Sequence, residues 1–253
     1  MTLAVNEDRT PHRSGGMLSK KPIPVNERLI LALDVPELED ARRLVIELGE
    51  TVAFYKVGLE LFMTGNIYEL IDWLHARGKK TFVDLKFFDV PNTVGSAIRQ
   101  LKGRNATFVT VHGNDAILKA AAAEKNGMKI LAVTVLTSLD DADLKDMGFA
   151  VDTRQLVLSR ARRALQIGCD GVISSGLEAE GLRGELGENF LIVVPGIRPV
   201  ANVDDQKRTV DVEDAFRLGA DYIVVGRPIR EAPDPRRAAQ AIQDRISALF
   251  RAG

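Results

Sequence analysis

Short apolar runs alternate along this chain with longer segments of helical period. Arg28–Asp34 (RLILALD) is apolar and ends in a carboxylate. Pro36-Glu37 then opens an amphipathic helix over Leu38–Leu48, which Gly49 stops. Further strands are expected at Ala53–Gly58, from Thr81 onward, and at Thr107–His112, Lys129–Leu136, Gly171–Ser174, Phe190–Val194 and Asp221–Val225. Between them, helices are expected over Glu60–Arg77, near 94–103, over Asp115–Asn126, roughly over 140–147 and 153–167, and over Leu177–Leu186 and Val212–Leu218, with a closing one at Pro235–Leu249. The strands are rich in Val, Ile and Leu on both faces, as in a parallel sheet covered on both sides. A doubly wound open sheet shares that pattern, but eight regular βα units favour a single (β/α)8 TIM barrel. No Gly-x-Gly-x-x-Gly follows the first strand, which weakens a dinucleotide-binding fold.

Residues 1–25 break the alternation. They are polar, rich in Gly, Pro and Lys, and contain no apolar core of a secretory signal. They are expected to form a disordered N-terminal extension, with the barrel over residues 26–253. The 253 residues and their 45% hydrophobic content suffice for one large core. A net charge of −1 supplies no global field for nucleic acid or an anionic membrane surface, so any phosphate grip must be local. No apolar run approaches the ~20 residues of a membrane helix. One cysteine, Cys169, excludes an internal disulfide and suits a reducing, cytoplasmic setting. With three histidines, a His-rich metal centre is not expected.

Against that background the stretch Thr81–Thr93 (TFVDLKFFDVPNT) stands out, because an apolar strand carries Asp84 and Lys86, with Asp89 just beyond. Phe82, Asp84 and Lys86 share one face, and Val83 and Leu85 take the other. Pro91 ends the pairing, and Asn92 or Thr93 can cap the helix that follows. A solvated strand end is the ordinary explanation, but the apolar flanks imply burial, which an Asp and a Lys tolerate only when paired. In a (β/α)8 barrel, active sites sit at the C-terminal ends of the strands. Asp34 closes strand one, Lys56 lies near the end of strand two, His112 closes strand four, and Thr137 and Ser138 follow strand five. Each alone can be structural. Asp34, Lys56, Asp84 and Lys86 together make a ring of alternating charge at one mouth. After strand eight, Gly226 lets an anion approach the backbone and Arg227 adds a charged fork. The polar segment Pro195–Arg208 after strand seven is expected to act as a lid, with Arg198 and Gln206 on it; an ordinary surface loop is the alternative.

These residues resemble the orotidine 5′-phosphate decarboxylase family in its bacterial form. The resemblance rests on Leu33-Asp34, Tyr55-Lys56-Val57-Gly58, the run Asp84–Thr93, Val133–Ser138, Pro195–Pro199, Asp205-Gln206 and Val225–Pro228, in family order from about residue 28 to 240. The Asp-x-Lys-x-x-Asp core is shared with sugar-phosphate enzymes of the same barrel, whereas the full run to Pro-Asn-Thr is more specific. Departures are mild: Phe88 stands where many bacterial members carry histidine, Val90 replaces isoleucine, and Gly113 follows His112 in place of alanine.

The resemblance implies a homodimer that decarboxylates orotidine 5′-monophosphate to UMP and CO₂ without cofactor or metal. It implies a catalytic array of Lys56, Asp84, Lys86 and Asp89, with Asp89 and Thr93 reaching into the partner subunit's site. Asp34 would bind the ribose hydroxyls, and Thr137 and Ser138 would face the pyrimidine. Gln206, Gly226 and Arg227 would hold the phosphate, and Arg198 would belong to the lid. Two rival readings remain at this stage. One is a Mg²⁺-dependent sugar-phosphate enzyme of the same barrel, such as a 3-keto-gulonate-6-phosphate decarboxylase or hexulose-phosphate synthase. The other is a catalytically silent barrel that only binds nucleotides.

Overall fold

The computed structural model describes residues 18–197 and 210–251. Eight parallel strands close into a barrel in chain order. They are β1 (Leu29–Ala32), β2 (Phe54–Gly58), β3 (Lys80–Phe87), β4 (Ala106–Val111), β5 (Lys129–Val133), β6 (Gly171–Ile173), β7 (Leu191–Val194) and β8 (Tyr222–Val225). The helices are α1 (Leu38–Leu48), α2 (Leu59–Phe62), α3 (Ile67–His75), α4 (Pro91–Gln100), α5 (Asp115–Ala123), α6 (Asp141–Asp146), α7 (Thr153–Ile167), α8 (Gly176–Leu186), α9 (Val212–Arg217), α10 (Arg227–Arg230) and α11 (Pro235–Arg251). All eight expected strands are present, so the (β/α)8 reading holds.

Period-two alternation divides the buried residues into two cores. Inside the barrel lie Ile30, Phe54, Phe82, Phe108, Leu131 and Tyr222 with their neighbours. Residues of the opposite parity, such as Leu31, Tyr55, Val83 and Val109, pack outward against the helices. The aromatic rings fill the lower interior, Phe108 meeting Phe54 and Tyr222 at 5.0 Å and Phe82 at 5.9 Å between centroids. They form a solid floor under the mouth.

Three expectations need correction. The helix expected over Glu60–Arg77 is split into α2 and α3, because Gly65 takes a left-handed backbone (φ 88°) that ends the first turn. The helix expected near 94–103 starts earlier, with Pro91 as its first residue, where a missing N–H costs nothing; neither Asn92 nor Thr93 caps it. The expected boundary at residue 25 is also too late. Leu18 and Ile23 pack on the two cores, and Ser19 and Lys21 bond Asp221 at 2.5 and 3.0 Å. Asp221 is fully buried at the base of the barrel and also accepts from Arg183 (2.7 Å) and the Ile192 N–H (2.9 Å). Residues 1–17 lie outside the described residues.

Candidate active site

Strand parity decides which side chains reach the mouth. Rising through the interior, β2 presents Phe54 and then Lys56, β3 presents Phe82, Asp84 and Lys86, and β4 presents Phe108 and then Thr110. The aromatic floor therefore gives way, one layer up, to charge.

Four of the expected residues form a linked chain of alternating sign. The Lys56 ammonium donates to Asp34 at 2.9 Å and lies 3.6 Å from the near oxygen of Asp84. The Lys86 ammonium lies 3.0 and 3.1 Å from the two Asp84 oxygens. Asp84 and Lys56 are nearly buried, whereas 37% of the Lys86 side chain stays exposed toward the cavity. Burial alone would push Lys56 down, but the carboxylates of Asp84 and Asp34 outweigh it and raise its pKa. Burial would likewise raise Asp84, yet Lys56 and Lys86 outweigh it and hold the carboxyl below its usual range. Gly58 makes room for this chain: a Cβ there would stand 3.2 Å from both Asp34 Oδ1 and Lys56 Nζ.

A widened segment of β3 carries the last link. Val83 pairs with Val109 and Phe87 with Val111, so four steps along β3 face two along β4. Lys86 takes up the excess with a left-handed backbone (φ 48°), which costs a non-glycine residue about 1–2 kcal/mol. Its N–H donates to Thr110 Oγ1 at 2.9 Å, and the same hydroxyl donates to Asp84 Oδ1 at 2.9 Å. Thr110 is fully buried and was not singled out from the sequence. Its signal was the parity with Phe108, which points it into the barrel.

The cavity above the array has a volume of about 270 Å³, near the lower end of small-molecule sites. Its lining combines Asp34, Lys56, Asp84 and Lys86 with Thr137, Ser138, Gly226 and Arg227. Thr137 is buried and Ser138 exposed. The Gly226-Arg227-Pro228 segment after β8 turns directly into α10, which carries Arg230 to the cavity one turn after Arg227. Arg230 and the apolar Val135 and Leu136 were missed, since their placement depends on that turn and on the exit from β5. A larger hollow of about 530 Å³ lies outside the barrel against α7 and α8. Its lining includes Asp140, Asp152, Glu178, Glu180 and Glu185 beside Arg154, a poor setting for a phosphate.

Asp89 and Thr93 do not join the cavity: both are exposed, and Asp89 accepts from the Val90 N–H at 2.6 Å. Arg198 and Gln206 lie outside the described residues, although Ile197 and Val210 on either side of that segment form an isolated parallel bridge. Phe88 also points away from the cavity. Its ring packs edge-on against His112 at 5.3 Å beside Gly113. Burial, then Arg160 and Lys86, push the His112 pKa down, so the ring is neutral at pH 7. No group of three or more His, Cys, Asp or Glu among the described residues is arranged to hold a metal ion.

Comparisons with known proteins agree on one family. Residues 27–242 match the model of the Orotidine 5′-phosphate decarboxylase / HUMPS family. An Orotidine 5′-phosphate decarboxylase of Methylococcus capsulatus is 63% identical over 238 residues, covering 93% of this chain and 98% of the relative. One of Stenotrophomonas maltophilia is 49% identical over 240 residues, covering 93% of this chain and 100% of the relative. The crystal structure of Orotidine 5′-phosphate decarboxylase from Lactobacillus acidophilus superposes with a TM-score of 0.77 at 37% identity, covering 87% of this chain and 99% of that one.

Proposed function

Because the chain belongs to the orotidine 5′-phosphate decarboxylase / HUMPS family, we propose that it is a carboxy-lyase of pyrimidine biosynthesis, converting orotidine 5′-monophosphate to UMP and CO₂. The observation that carries this reading is the Asp34–Lys56–Asp84–Lys86 chain above the aromatic floor. Breaking the bond from C6 to the carboxylate leaves an electron pair on C6, with no cofactor to delocalise it. The Lys86 ammonium stabilises that pair and then donates a proton to C6, so that CO₂ leaves and UMP remains. Asp84 stands beside the departing carboxylate as a like charge, which disfavours the ground state more than a transition state moving charge away. Lys56 and Asp89 orient the pair. Enzymes commonly lower barriers by ~8–23 kcal/mol, and this reaction asks for the upper part of that range.

On this reading Asp34 takes the ribose hydroxyls, Thr137 and Ser138 face the pyrimidine, and Gly226, Arg227 and Gln206 grip the phosphate, with Arg198 on the lid. Phosphate binding far from C6 helps to organise the mouth. No metal is needed, because Asp34 and Asp84 each already contact an ammonium. The test is the fall in ultraviolet absorbance when orotidine 5′-monophosphate is added, with and without EDTA. Turnover that survives the chelator is expected. Turnover lost to EDTA and restored by Mg²⁺ points to the sugar-phosphate branch, and UMP binding without turnover points to a silent barrel.

The active unit is a homodimer. Phe88 and Val90, the chain neighbours of Asp89, are exposed apolar side chains, as are Leu59 and Met63 in and just after α2. Asp89 and Thr93 stand outside their own cavity, as donors to a second copy would. Lys86→Ala and Asp89→Asn homodimers should both be inactive, while mixed dimers should regain one intact site. If mixing and exchange restore nothing, the shared site is wrong. No described helix is long and apolar enough to cross a membrane, and burial pushes the Cys169 thiol up to about 12. A cytoplasmic setting fits the biosynthetic reading above.

A further inference from the structure

Widening a strand frees backbone groups that a regular ladder would have paired. In β3 the widened segment ends at Lys86, whose left-handed backbone turns its N–H away from the regular pairing with β4. Thr110 is the β4 residue opposite the excess, between the paired Val109 and Val111. It is fully buried, and its one hydroxyl accepts from the Lys86 N–H and donates to Asp84, both at 2.9 Å. A valine has the same shape and offers neither bond, and a serine offers both.

We infer that Thr110 is a positioning residue, one that pins the widened segment of β3 through the Lys86 N–H and aims the Asp84 carboxylate at the Lys86 ammonium. The inference rests on the reading of Asp84 and Lys86 as the acting pair. Asp84 has three side-chain partners converging on it from three strands. Lys56 approaches from β2 (itself held by Asp34 past β1), Lys86 from β3, and Thr110 from β4 as the only uncharged one. His112, the next inward position past β4, is neutral and bonds through its backbone N–H to the Phe87 carbonyl. Two bonds from one oxygen thus couple the direction of a carboxylate to the backbone angle of the proton donor. That coupling matters at the reacting carbon and not at the phosphate, so its loss should fall on turnover rather than on affinity.

Kinetics of Thr110→Val, Thr110→Ser and Lys86→Ala test this in the full chain. For Thr110→Val, kcat should fall about 10- to 100-fold, the scale of a buried donor left unsatisfied. KM should change less than about threefold. The acid limb of the kcat profile should move to higher pH, since a bond favouring the Asp84 carboxylate is gone. Thr110→Ser should recover most of kcat and return the acid limb. If the valine variant does not fold, Thr110→Ala against Thr110→Ser carries the same contrast. A valine or alanine variant that folds and matches the parent in kcat and pH profile overturns the inference, as does a serine variant no better than alanine. An active Lys86→Ala overturns the reading on which the inference stands. An inactive Lys86→Ala beside a fully active Thr110→Val overturns the role of Thr110 alone.

Discussion

Two buried carboxylates, Asp221 at the base of the barrel and Asp84 at its mouth, are held by cations in quite different ways. Asp221 is closed on every side: Ser19 and Lys21 bond one oxygen, Arg183 and the Ile192 N–H the other, and none of its side chain is exposed. Asp84 is held by Lys56, Lys86 and Thr110, but one of those cations remains partly open to a cavity. Among the described residues, Asp84 is also the only carboxylate within 4 Å of the Lys86 ammonium. The base spends its polar groups on one another, which makes it a seal. The mouth leaves a cation with hydrogen-bond capacity facing the cavity, which marks it as the candidate site. Burial and pairing alone do not separate the two; what distinguishes them is where the remaining donors point.

The sharpest way to break this comparison is Lys86→Ala. It should lower kcat by a factor on the order of 10³ or more, the scale of losing a preorganised charge at a reacting centre. Thermal stability should shift only slightly, because Lys86 is partly exposed and Asp84 keeps Lys56 and Thr110. A variant with near-parental turnover would remove the distinction between the two ends. Asp221→Asn should give the opposite outcome, costing about 3–5 kcal/mol in urea unfolding because Arg183 loses its buried counter-charge. Its kcat should remain close to the parent once it is folded, and a collapse of turnover without loss of stability would contradict the seal.

The pH dependence of stability is a smaller effect. Asp84 has a lowered pKa in the fold, so its contribution is complete above ~3.9, its usual value, and is lost as pH falls through the lower folded value. Lys56 has a raised pKa, so its contribution is complete below ~10.4 and is lost as pH rises through the higher folded value. The difference in unfolding free energy between the parent and Asp84→Asn should therefore be level from about pH 5 to 9 and shrink in acid. A slope through neutrality would mean the array is not ionised as described. The smallest effect belongs to Phe88→His, which should alter kcat/KM by less than about threefold, because the ring lies outside the cavity on His112. A larger change would extend the mouth outward to that side chain.

The barrel was legible because each strand is a short β-branched run between helical segments; period-two parity put Asp84 and Lys86 on one face, and Lys56 lay near the end of the neighbouring strand. What escaped the sequence depended on contacts made far away or on small backbone events. Ser19 and Lys21 look like tail residues until Asp221, some two hundred positions on, is seen to hold them. Thr110 looks like an ordinary strand threonine until the extra residues of β3 are counted against β4. Arg230 reaches the cavity only because α10 begins at Arg227. Gly65, taken as part of a continuous helix, uses its freedom of φ to divide it.

The sealed base also decides how the molecule tolerates being handled. Ser19 is tied to Asp221 there, and α11 returns to the same end, with Gln243 bonding the carbonyls of Asn26 and Thr51 at 3.0 Å and Phe250 stacked under Arg28. Both described ends of the chain thus meet beneath the aromatic floor, on the side opposite the mouth. Attachment at positions near Ser19 or Phe250 should therefore leave the cavity on the far side open to solution.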